Sequence, residues 1–279
     1  MNNSQINQLS IVLPVINERP NLENLIPELL RVCDVLGIES EVIVSDDSSD
    51  DGTCQYIETY NLSDSRVRLV NRSGQPCSLP ESINDGVLSS KFEYILWMDA
   101  DGSMSPSVIT DLIASFDNFG SSRETIVVGS RFVKGGGFKG ADSSGRTRLL
   151  QAHRNLRATN DSFIAMVLSR ILNRYLWITL GRCCKDPASG FVLARRTFLL
   201  TNRLVGSYGD YCPRLLFSAK KLGVQIIEVP YICLPRKFGV SKTGVTLFQL
   251  IKRGMPYATL PIRIRISNRL AKANTIFSK

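Results

Sequence analysis

Two carboxylates one residue apart, Asp99 and Asp101, directly follow the apolar and aromatic run Tyr94–Met98. The run is apolar at successive positions, which is typical of a strand buried on both faces of a parallel sheet. Open α/β sheets bind their ligands at the carboxyl ends of such strands. Acids at positions i and i+2 can both turn toward one hard cation, and that cation can neutralise a diphosphate. A bare Asp-x-Asp more often marks an ordinary polar turn, so the remaining motifs decide between the two interpretations.

The elements that would position these acids alternate along the first half of the chain. Strand patterns cover residues 9–15, 41–45, 66–70, 93–98 and 125–129, and helix patterns cover 21–36, 53–60, 80–90 and 106–119. This alternation predicts βαβ units and an α/β fold with a mostly parallel sheet flanked by helices. A second acidic cluster follows the second strand, so we expect Asp46, Asp47, Asp99 and Asp101 on one rim of the sheet.

Two common phosphate-binding motifs are missing from the sequence. The turn after the first strand reads Pro14-Val15-Ile16-Asn17-Glu18 instead of Gly-x-Gly-x-x-Gly, which argues against a Rossmann dehydrogenase. There is no Walker lysine loop, and the run Gly135-Gly136-Gly137 is not followed by a helix start. We therefore interpret the glycine run as a flexible loop and not as a phosphate cradle.

The second half continues the pattern and ends in a distinct tail. It predicts a polar loop at 134–147, an amphipathic helix at 149–180, a turn at 185–190 and a strand at 191–194. A helix at 208–222, a strand at 224–229 and a basic loop at 235–244 follow. At 279 residues the chain suits one large domain with an appendage, which we place at 1–244 and 245–279.

The net charge of +9 is concentrated in the last part of the chain. From Val229 to Lys279 there are ten Lys or Arg and no Asp or Glu. Such a segment suits an anionic surface, either nucleic acid or lipid head groups. Its aliphatic residues, interrupted by Pro256 and Pro261, predict either two short helices lying in a membrane interface or a solvated basic pair docked on the domain.

The motifs, taken together, resemble the GT-A fold of family 2 glycosyltransferases. Those of the first half are Pro14-x-x-Asn17-Glu18, Asp46-Asp47-x-Ser49-x-Asp51-Gly52-Thr53, Asp99-x-Asp101 and Gly129-Ser130-Arg131-Phe132. Those of the second half are Ser169-Arg170-x-x-Asn173, Lys185-Asp186-Pro187-x-Ser189-Gly190-Phe191 and Arg236-x-x-Gly239-x-Ser241-Lys242. The second set is similar to the branch that contains dolichol-phosphate mannose synthase and polyprenyl-phosphate hexose synthases.

This resemblance implies an inverting transfer of a hexose from a nucleotide diphosphate sugar, GDP-mannose or UDP-glucose, to a polyprenyl phosphate. The resemblance also assigns roles to individual residues. Nucleotide-sugar binding falls to Pro14, Ile16, Glu18, Asp46, Asp47, Asp99, Ala100 and Asp101. Asp99 and Asp101 would hold Mg²⁺ or Mn²⁺, with Ser103 standing where many bacterial relatives carry a Gln metal contact. Arg131 joins these two acids as a catalytic residue, and the acceptor phosphate would be bound by Arg131, Arg170, Arg236 and Lys242.

The acceptor implied by the resemblance fits the scarcity of bases in the sequence. A phosphate monoester has a second pKa of about 6, so it is largely deprotonated at neutral pH and needs no strong general base. The only histidine, His153, lies outside every motif. Asp186 leaves two interpretations open, because it could orient arginine residues or cap the segment that follows.

A lipid acceptor requires contact with a membrane. The sequence contains no run of roughly 20 apolar residues that could span one, and Met1–Gln8 lacks the apolar core of a signal peptide. Seven scattered cysteines without zinc-ligand spacing indicate reduced thiols. We therefore expect a cytoplasmic enzyme, peripheral on the cytoplasmic face of a membrane. Either its own tail or a small membrane partner protein would make the contact. The tail side chains expected to insert are Leu247, Phe248, Leu250, Ile251, Ile262 and Ile264.

Two other functions remain to be weighed. A family 2 enzyme acting on a soluble or glycan hydroxyl would generally use a carboxylate base in its second half. A nucleic-acid-binding tail would interleave aromatic side chains along a basic groove. The tail offers only Phe248, Tyr257 and Phe277 among aliphatic residues, so nucleic acid is the weakest alternative.

Overall fold

Seven strands of the chain form one sheet. A computed structural model describes residues 5–119, 124–138, 141–142, 163–207, 209–236, 238 and 254–266. The seven strands are β1 (Gln8–Val15), β2 (Glu39–Asp46), β3 (Val67–Asn71), β4 (Tyr94–Trp97), β5 (Thr125–Ser130), β8 (Val192–Arg195) and β9 (Gln225–Pro230). Three short strands, β6 (Gly137–Phe138), β7 (Ala141–Asp142) and β10 (Ile232–Cys233), form a second sheet.

The strand order in the large sheet is β3-β2-β1-β4-β8-β5-β9, which places β4 at the centre. All neighbouring strands run parallel except β8, which is antiparallel to both β4 and β5. The mostly parallel α/β fold predicted from the sequence is therefore confirmed. In β4, Leu96 packs into the core on one face of the sheet, whereas Ile95 and Trp97 pack into the core on the other. This burial on both faces explains why the run is apolar at successive positions.

Helices cover both faces of the sheet. They are α1 (Arg19–Leu36), α2 (Thr53–Ser63), α3 (Leu79–Ser89), α4 (Ile109–Phe119), α5 (Phe163–Thr179), α6 (Arg196–Thr201), α7 (Tyr211–Lys221) and α8 (254–266). As predicted, α1 ends at Gly37, whose φ of 67° is the left-handed conformation that glycine adopts readily at a helix end. The N-terminus of α3 is capped by the hydroxyl of Ser78, which accepts a hydrogen bond from the backbone N–H of Glu81.

The glycine run is a packed turn, so its interpretation as a flexible loop was wrong. A side chain on Gly136 would collide with the backbone of Ser130 and Arg131. The backbone N–H of Gly137 donates to the carbonyl of Tyr231 at 3.0 Å as β6 begins to pair with β10. The glycines are required because the chain here passes directly against the end of β5.

In the tail, the expected break at Pro261 does not occur, since α8 runs through both prolines. Pro256 lies in the first turn, where a helix does not use the missing N–H, whereas Pro261 is in the interior. Packing offsets its cost, because Leu260 and Ile264 are buried against Leu176 of α5 and against Leu180, which directly follows that helix. The predicted helix at 149–180 is seen from Phe163, and residues 143–162, 239–253 and 267–279 lie outside the described part of the chain.

Candidate active site

A cavity of about 430 Å³ opens at the carboxyl ends of β1, β2 and β4. Most of the residues predicted to bind the nucleotide sugar line it. They are Pro14, Ile16, Glu18, Asp47, Asp99, Ala100 and Asp101, and Ser103, predicted as a metal contact, lines the cavity too. Two predicted cationic residues, Arg131 and Arg236, line it as well. The structure therefore brings the acidic rim, predicted to bind the nucleotide sugar, together with two guanidinium groups predicted to bind the acceptor phosphate.

Asp99 and Asp101 lie next to each other just beyond β4. Burial raises the pKa of the Asp99 carboxyl to about 7, and the neighbouring charge of Asp101 adds to the rise, while Arg236 and Arg131 act in the opposite direction. Asp101 is 5% exposed. It accepts a hydrogen bond from the backbone N–H of Ser103 at 2.8 Å. It also forms an ion pair with the Nη2 atom of Arg236, at 2.8 Å. The cavity therefore carries negative charge that a bound cation would neutralise.

This pair of carboxylates fits a divalent cation. Two adjacent carboxylates would both be stabilised in the charged form by a metal between them. Among the described residues, no group of three or more His, Cys, Asp or Glu side chains is placed to hold a metal. Two carboxylates suffice for Mg²⁺ or Mn²⁺ when substrate phosphates supply further ligands. Asp99 and Asp101, with the buried Ser103 beside them, are the residues that could hold it.

The Arg131 guanidinium is held in place by Asp186, which lies on the turn before β8. The Nε and Nη2 atoms of Arg131 each donate to an Asp186 carboxylate oxygen at 2.7 Å, and its backbone N–H donates at 2.9 Å. Burial alone would lower the pKa of Arg131, but the adjacent Asp186 outweighs it and holds that pKa well above the usual value. Of the two interpretations left open for Asp186, the structure supports the orientation of an arginine.

Glu228 on β9 supports this ion pair from behind, and sequence reasoning missed it. Its carboxylate accepts hydrogen bonds from the backbone N–H groups of Lys185 at 2.9 Å and Asp186 at 3.2 Å. These bonds fix the turn that carries Asp186. The available signal was an acid in the middle of the apolar strand Ile226-Ile227-Glu228-Val229.

Asp47 is fixed by a second residue that the sequence did not single out, Arg72. The Nε atom of Arg72 donates to one carboxylate oxygen of Asp47 at 3.2 Å, and the backbone N–H of Ser78 donates to the other at 2.6 Å. Arg72 is 2% exposed and also pairs with Asp85 of α3. The orientation of Asp47 toward the cavity therefore depends on a buried cation located after β3.

The motif residues between β1 and α1 form a double turn with the acidic cluster after β2. Asn17 is left-handed, with a φ of 55°, and exchanges hydrogen bonds with Asp50 at 2.8 and 2.9 Å. Its backbone N–H donates to the hydroxyl of Ser49 at 2.7 Å. These bonds explain why the two motifs occur together, since each turn holds the other at the edge of the cavity.

Two predicted site residues, Asp46 and Arg170, are not among the described residues that line the cavity, and a third lies outside the described part of the chain. Asp46 is fully buried, and one of its carboxylate oxygens accepts a hydrogen bond from the backbone N–H of Ser49 at 2.9 Å, so it shapes the turn below the cavity wall. Arg170 lies on α5, away from the cavity lining. Lys242 lies outside the described residues. Roles in substrate binding for these three remain predictions.

The fold and a family match together define a class of protein, the glycosyltransferases with a GT-A fold. Residues 10–188 match the family described as Glycosyl transferase family 2. Because the match covers more than half of the chain, the chain belongs to this family, as its motifs predicted.

Two curated relatives are similar over most of the chain. The polyprenol monophosphomannose synthase of Mycolicibacterium smegmatis is 28% identical over 240 residues, which are 83% of this chain and 79% of that protein. The dolichol-phosphate mannosyltransferase of Pyrococcus furiosus is 27% identical over 248 residues. That match covers 88% of this chain but only 62% of the Pyrococcus protein, which is the longer of the two.

Solved structures share the fold at lower identity. Mannosyl-3-phosphoglycerate synthase from Rubrobacter xylanophilus superposes with a TM-score of 0.65 at 14% identity, over 94% of this chain and 74% of that one. Glucosyl-3-phosphoglycerate synthase from Mycobacterium tuberculosis, in complex with Mn²⁺, UDP and glucosyl-3-phosphoglycerate, gives 0.57 at 20% identity, over 88% and 80%. These structures confirm the GT-A fold.

The ion pair between Asp186 and Arg131 generates a prediction about stability. Asp186→Asn leaves a buried guanidinium without its counter-charge, so we expect the free energy of unfolding to fall by about 3–5 kcal/mol. The matched control is Glu81→Gln, because Glu81 pairs with Arg203 where both side chains are about half exposed. Its effect should stay within about 1 kcal/mol. Urea denaturation measures both, and equal effects of the two substitutions would contradict the assignment.

Proposed function

We propose that this family 2 glycosyltransferase moves a hexose from a nucleotide diphosphate sugar, GDP-mannose or UDP-glucose, to a polyprenyl phosphate, with inversion at the anomeric carbon. The names of the two curated relatives support a polyprenyl-type acceptor and mannose. In this proposal residues 1–244 form the catalytic domain, and residues 245–279 form a basic tail that serves the membrane surface.

The donor would lie along the acidic rim. Asp47, oriented by Arg72, can accept hydrogen bonds from the base or ribose, next to Pro14, Ile16 and Glu18. The diphosphate would then reach Asp99, Ala100 and Asp101. A divalent cation held by Asp99 and Asp101, with Ser103 nearby, would stabilise the charge that develops on the leaving diphosphate.

One observation carries the choice of acceptor: among the described lining residues the carboxylates are Glu18, Asp47, Asp99 and Asp101, which this proposal assigns to the donor and its cation, and no histidine lines the cavity. A hydroxyl acceptor would need a carboxylate or imidazole to remove its proton, whereas a phosphate monoester is already an anion near neutral pH. Arg131 and Arg236 are the cations placed to attract it, and a guanidinium fork suits phosphate oxygens.

Two adjacent helices present a surface suited to a membrane interface. On α5 and α8 the large apolar side chains that are at least about one-third exposed are Val167, Leu168, Ile171, Ile178, Met255, Ile262 and Ile266. Trp177 of α5 lies beneath Arg174 and Arg182, whose guanidinium carbons are 4.6 and 5.4 Å from its ring centroid. Such amphipathic surfaces, with basic residues among apolar ones, bind anionic lipid interfaces.

The tail contributes to this surface in part as expected. Ile262 is 56% exposed, so its insertion stays a prediction, whereas Ile264 is 8% exposed and packs against α5. The prediction for Ile264 was therefore wrong, because it lies on the inner face of α8. No helix in the described part of the chain has the length and apolar content needed to cross a bilayer. Contact with the lipid would then be made at the membrane surface, by these helices or through a small membrane partner.

A soluble phosphorylated acceptor is the second candidate. It is favoured by the structural similarity to enzymes named for the synthesis of glucosyl- and mannosyl-3-phosphoglycerate, whose acceptor portion also carries a phosphate. The same two arginines would serve it. The apolar surface of α5 and α8 has no use in such a reaction, so we place it second.

Transfer from radiolabelled GDP-mannose and UDP-glucose tests the proposal. Polyprenyl phosphate in vesicles and 3-phosphoglycerate are supplied in parallel, with Mn²⁺ or with chelator. We expect chelator-sensitive label in the organic phase for one donor, reduced roughly a hundredfold or more in Asp101→Ala and unchanged in the exposed control Glu58→Ala. Label that enters 3-phosphoglycerate alone would establish the second candidate, and label in neither acceptor would refute both.

The exposed side chains of α8 generate a prediction about membranes. Replacing Ile262 and Ile266 together by Asp removes two apolar contacts and adds repulsion, so we expect binding to anionic vesicles to weaken roughly tenfold or more. Leu62→Asp is the control, since Leu62 of α2 is 88% exposed and remote in sequence from both helices. Vesicle sedimentation measures all variants, and a loss no greater than that of the control would show that α8 does not bind lipid.

A further inference from the structure

One group of uncharged residues in the cavity lining, termed here the hydroxyl wall, consists of Ser189, Gly190, Ser207, Gly209, Tyr211 and Tyr257. None of these residues is charged, whereas the cations in the described lining, Arg131 and Arg236, belong to the middle of the cavity beside Asp99 and Asp101. A phosphate would leave its charge uncompensated at such a wall. Hydroxyl groups and small residues suit a neutral, polyhydroxylated ring, so this wall matches the hexosyl group of the donor.

Tyr257 is the member of the wall that comes from the tail. Its hydroxyl packs so closely on Gly209 that any side chain at position 209 would overlap the phenol ring. Gly209 does not have a positive φ, so its backbone conformation does not require glycine. The contact with Tyr257 is therefore the structural reason for glycine at this position, and the two residues form one side of the cavity.

Tyr257 lines the same cavity as Asp99 and Asp101, so a ring held at the hydroxyl wall would lie in the compartment that holds the two carboxylates. A ring placed between the hydroxyl wall and Asp99 would have its anomeric carbon next to the diphosphate site.

The position of Tyr257 is set by the packing of α8. The hydroxyl of Tyr175 on α5 donates to the carbonyl of Ala258 at 2.9 Å, and Leu260 and Ile264 are buried against α5. This anchoring lies behind the wall, because Tyr175 does not line the cavity. Tyr175→Phe therefore loosens the same helix without removing a hydroxyl from the cavity, and it provides a matched control.

We propose that Tyr257, supplied by the C-terminal helix, contacts the hexosyl group of the donor and is a specificity-determining residue of the transferase. The inference rests on the proposed function and deepens it, since it makes the tail a part of the sugar site as well as a membrane contact. The group that Tyr257 contacts in this proposal is the sugar, and not the nucleotide or the acceptor phosphate.

The test uses the full chain with Mn²⁺ and compares two affinities, that for GDP and that for GDP-mannose, with UDP and UDP-glucose in parallel. Titration calorimetry gives the ratio of the two, which isolates the contribution of the sugar. We expect Tyr257→Phe to lower the affinity for the sugar nucleotide roughly 3- to 10-fold while leaving that for the free nucleotide unchanged. Tyr175→Phe should change the ratio clearly less than Tyr257→Phe does, because it removes no hydroxyl from the cavity.

Gly209→Ala provides an independent test, because the added methyl group displaces the phenol of Tyr257 without changing the chemistry of that side chain. It should reduce the same ratio, and it should cause no further loss in the Tyr257→Ala background, where the methyl group has room. An unchanged ratio in both Tyr257→Phe and Gly209→Ala, or an equal change in Tyr175→Phe, would overturn the inference. Failure of the wild type to bind either nucleotide would instead refute the proposed function.

Discussion

The constraint on which the site depends is the placement of two carboxylates, Asp99 and Asp101, side by side in a cavity that raises the pKa of one of them. Without compensating charges the two carboxylates would repel each other, and the pair would bind a proton more readily than carry two negative charges. The surrounding structure supplies compensation in the form of the Arg236 ion pair, the Ser103 N–H group and the nearby Arg131. Both acids follow a central strand that is buried on both faces, and that strand sets where they lie.

The groups that touch the cavity are each held by a residue behind them. Arg131 is held by Asp186, whose turn is held in turn by Glu228 on the edge strand β9. Asp47 is held by Arg72 in the same way. Because Asp186 and Arg72 are buried, the geometry of the cavity is set before any substrate arrives. Preorganised charge of this kind acts where a leaving diphosphate develops negative charge.

Local patterns were sufficient to predict the fold, whereas the supports of the site were not visible in the sequence. The alternation of strands and helices, the Gly37 helix end and the rim position of Asp99 and Asp101 follow from local periodicity. Arg72 and Asp47 are 25 residues apart, and Arg131 and Asp186 are 55 apart, so their pairing depends on how strands are ordered in the sheet. The tail was misjudged because tertiary packing on α5 carries α8 through Pro261 and turns Ile264 inward.

The cation site at Asp99 and Asp101 is tested most directly by a Mn²⁺ titration followed by electron paramagnetic resonance, with and without GDP or UDP. If Asp99 and Asp101 hold the cation together with the donor diphosphate, one of the two nucleotides will raise the affinity for Mn²⁺ by roughly 5- to 150-fold, and Mn²⁺ will raise the affinity for that nucleotide equally. Asp101→Asn will lose this coupling, whereas Glu58→Gln will keep it. Mn²⁺ binding that neither nucleotide changes, or that survives intact in Asp101→Asn, would show that these carboxylates do not hold the cation together with a nucleotide diphosphate.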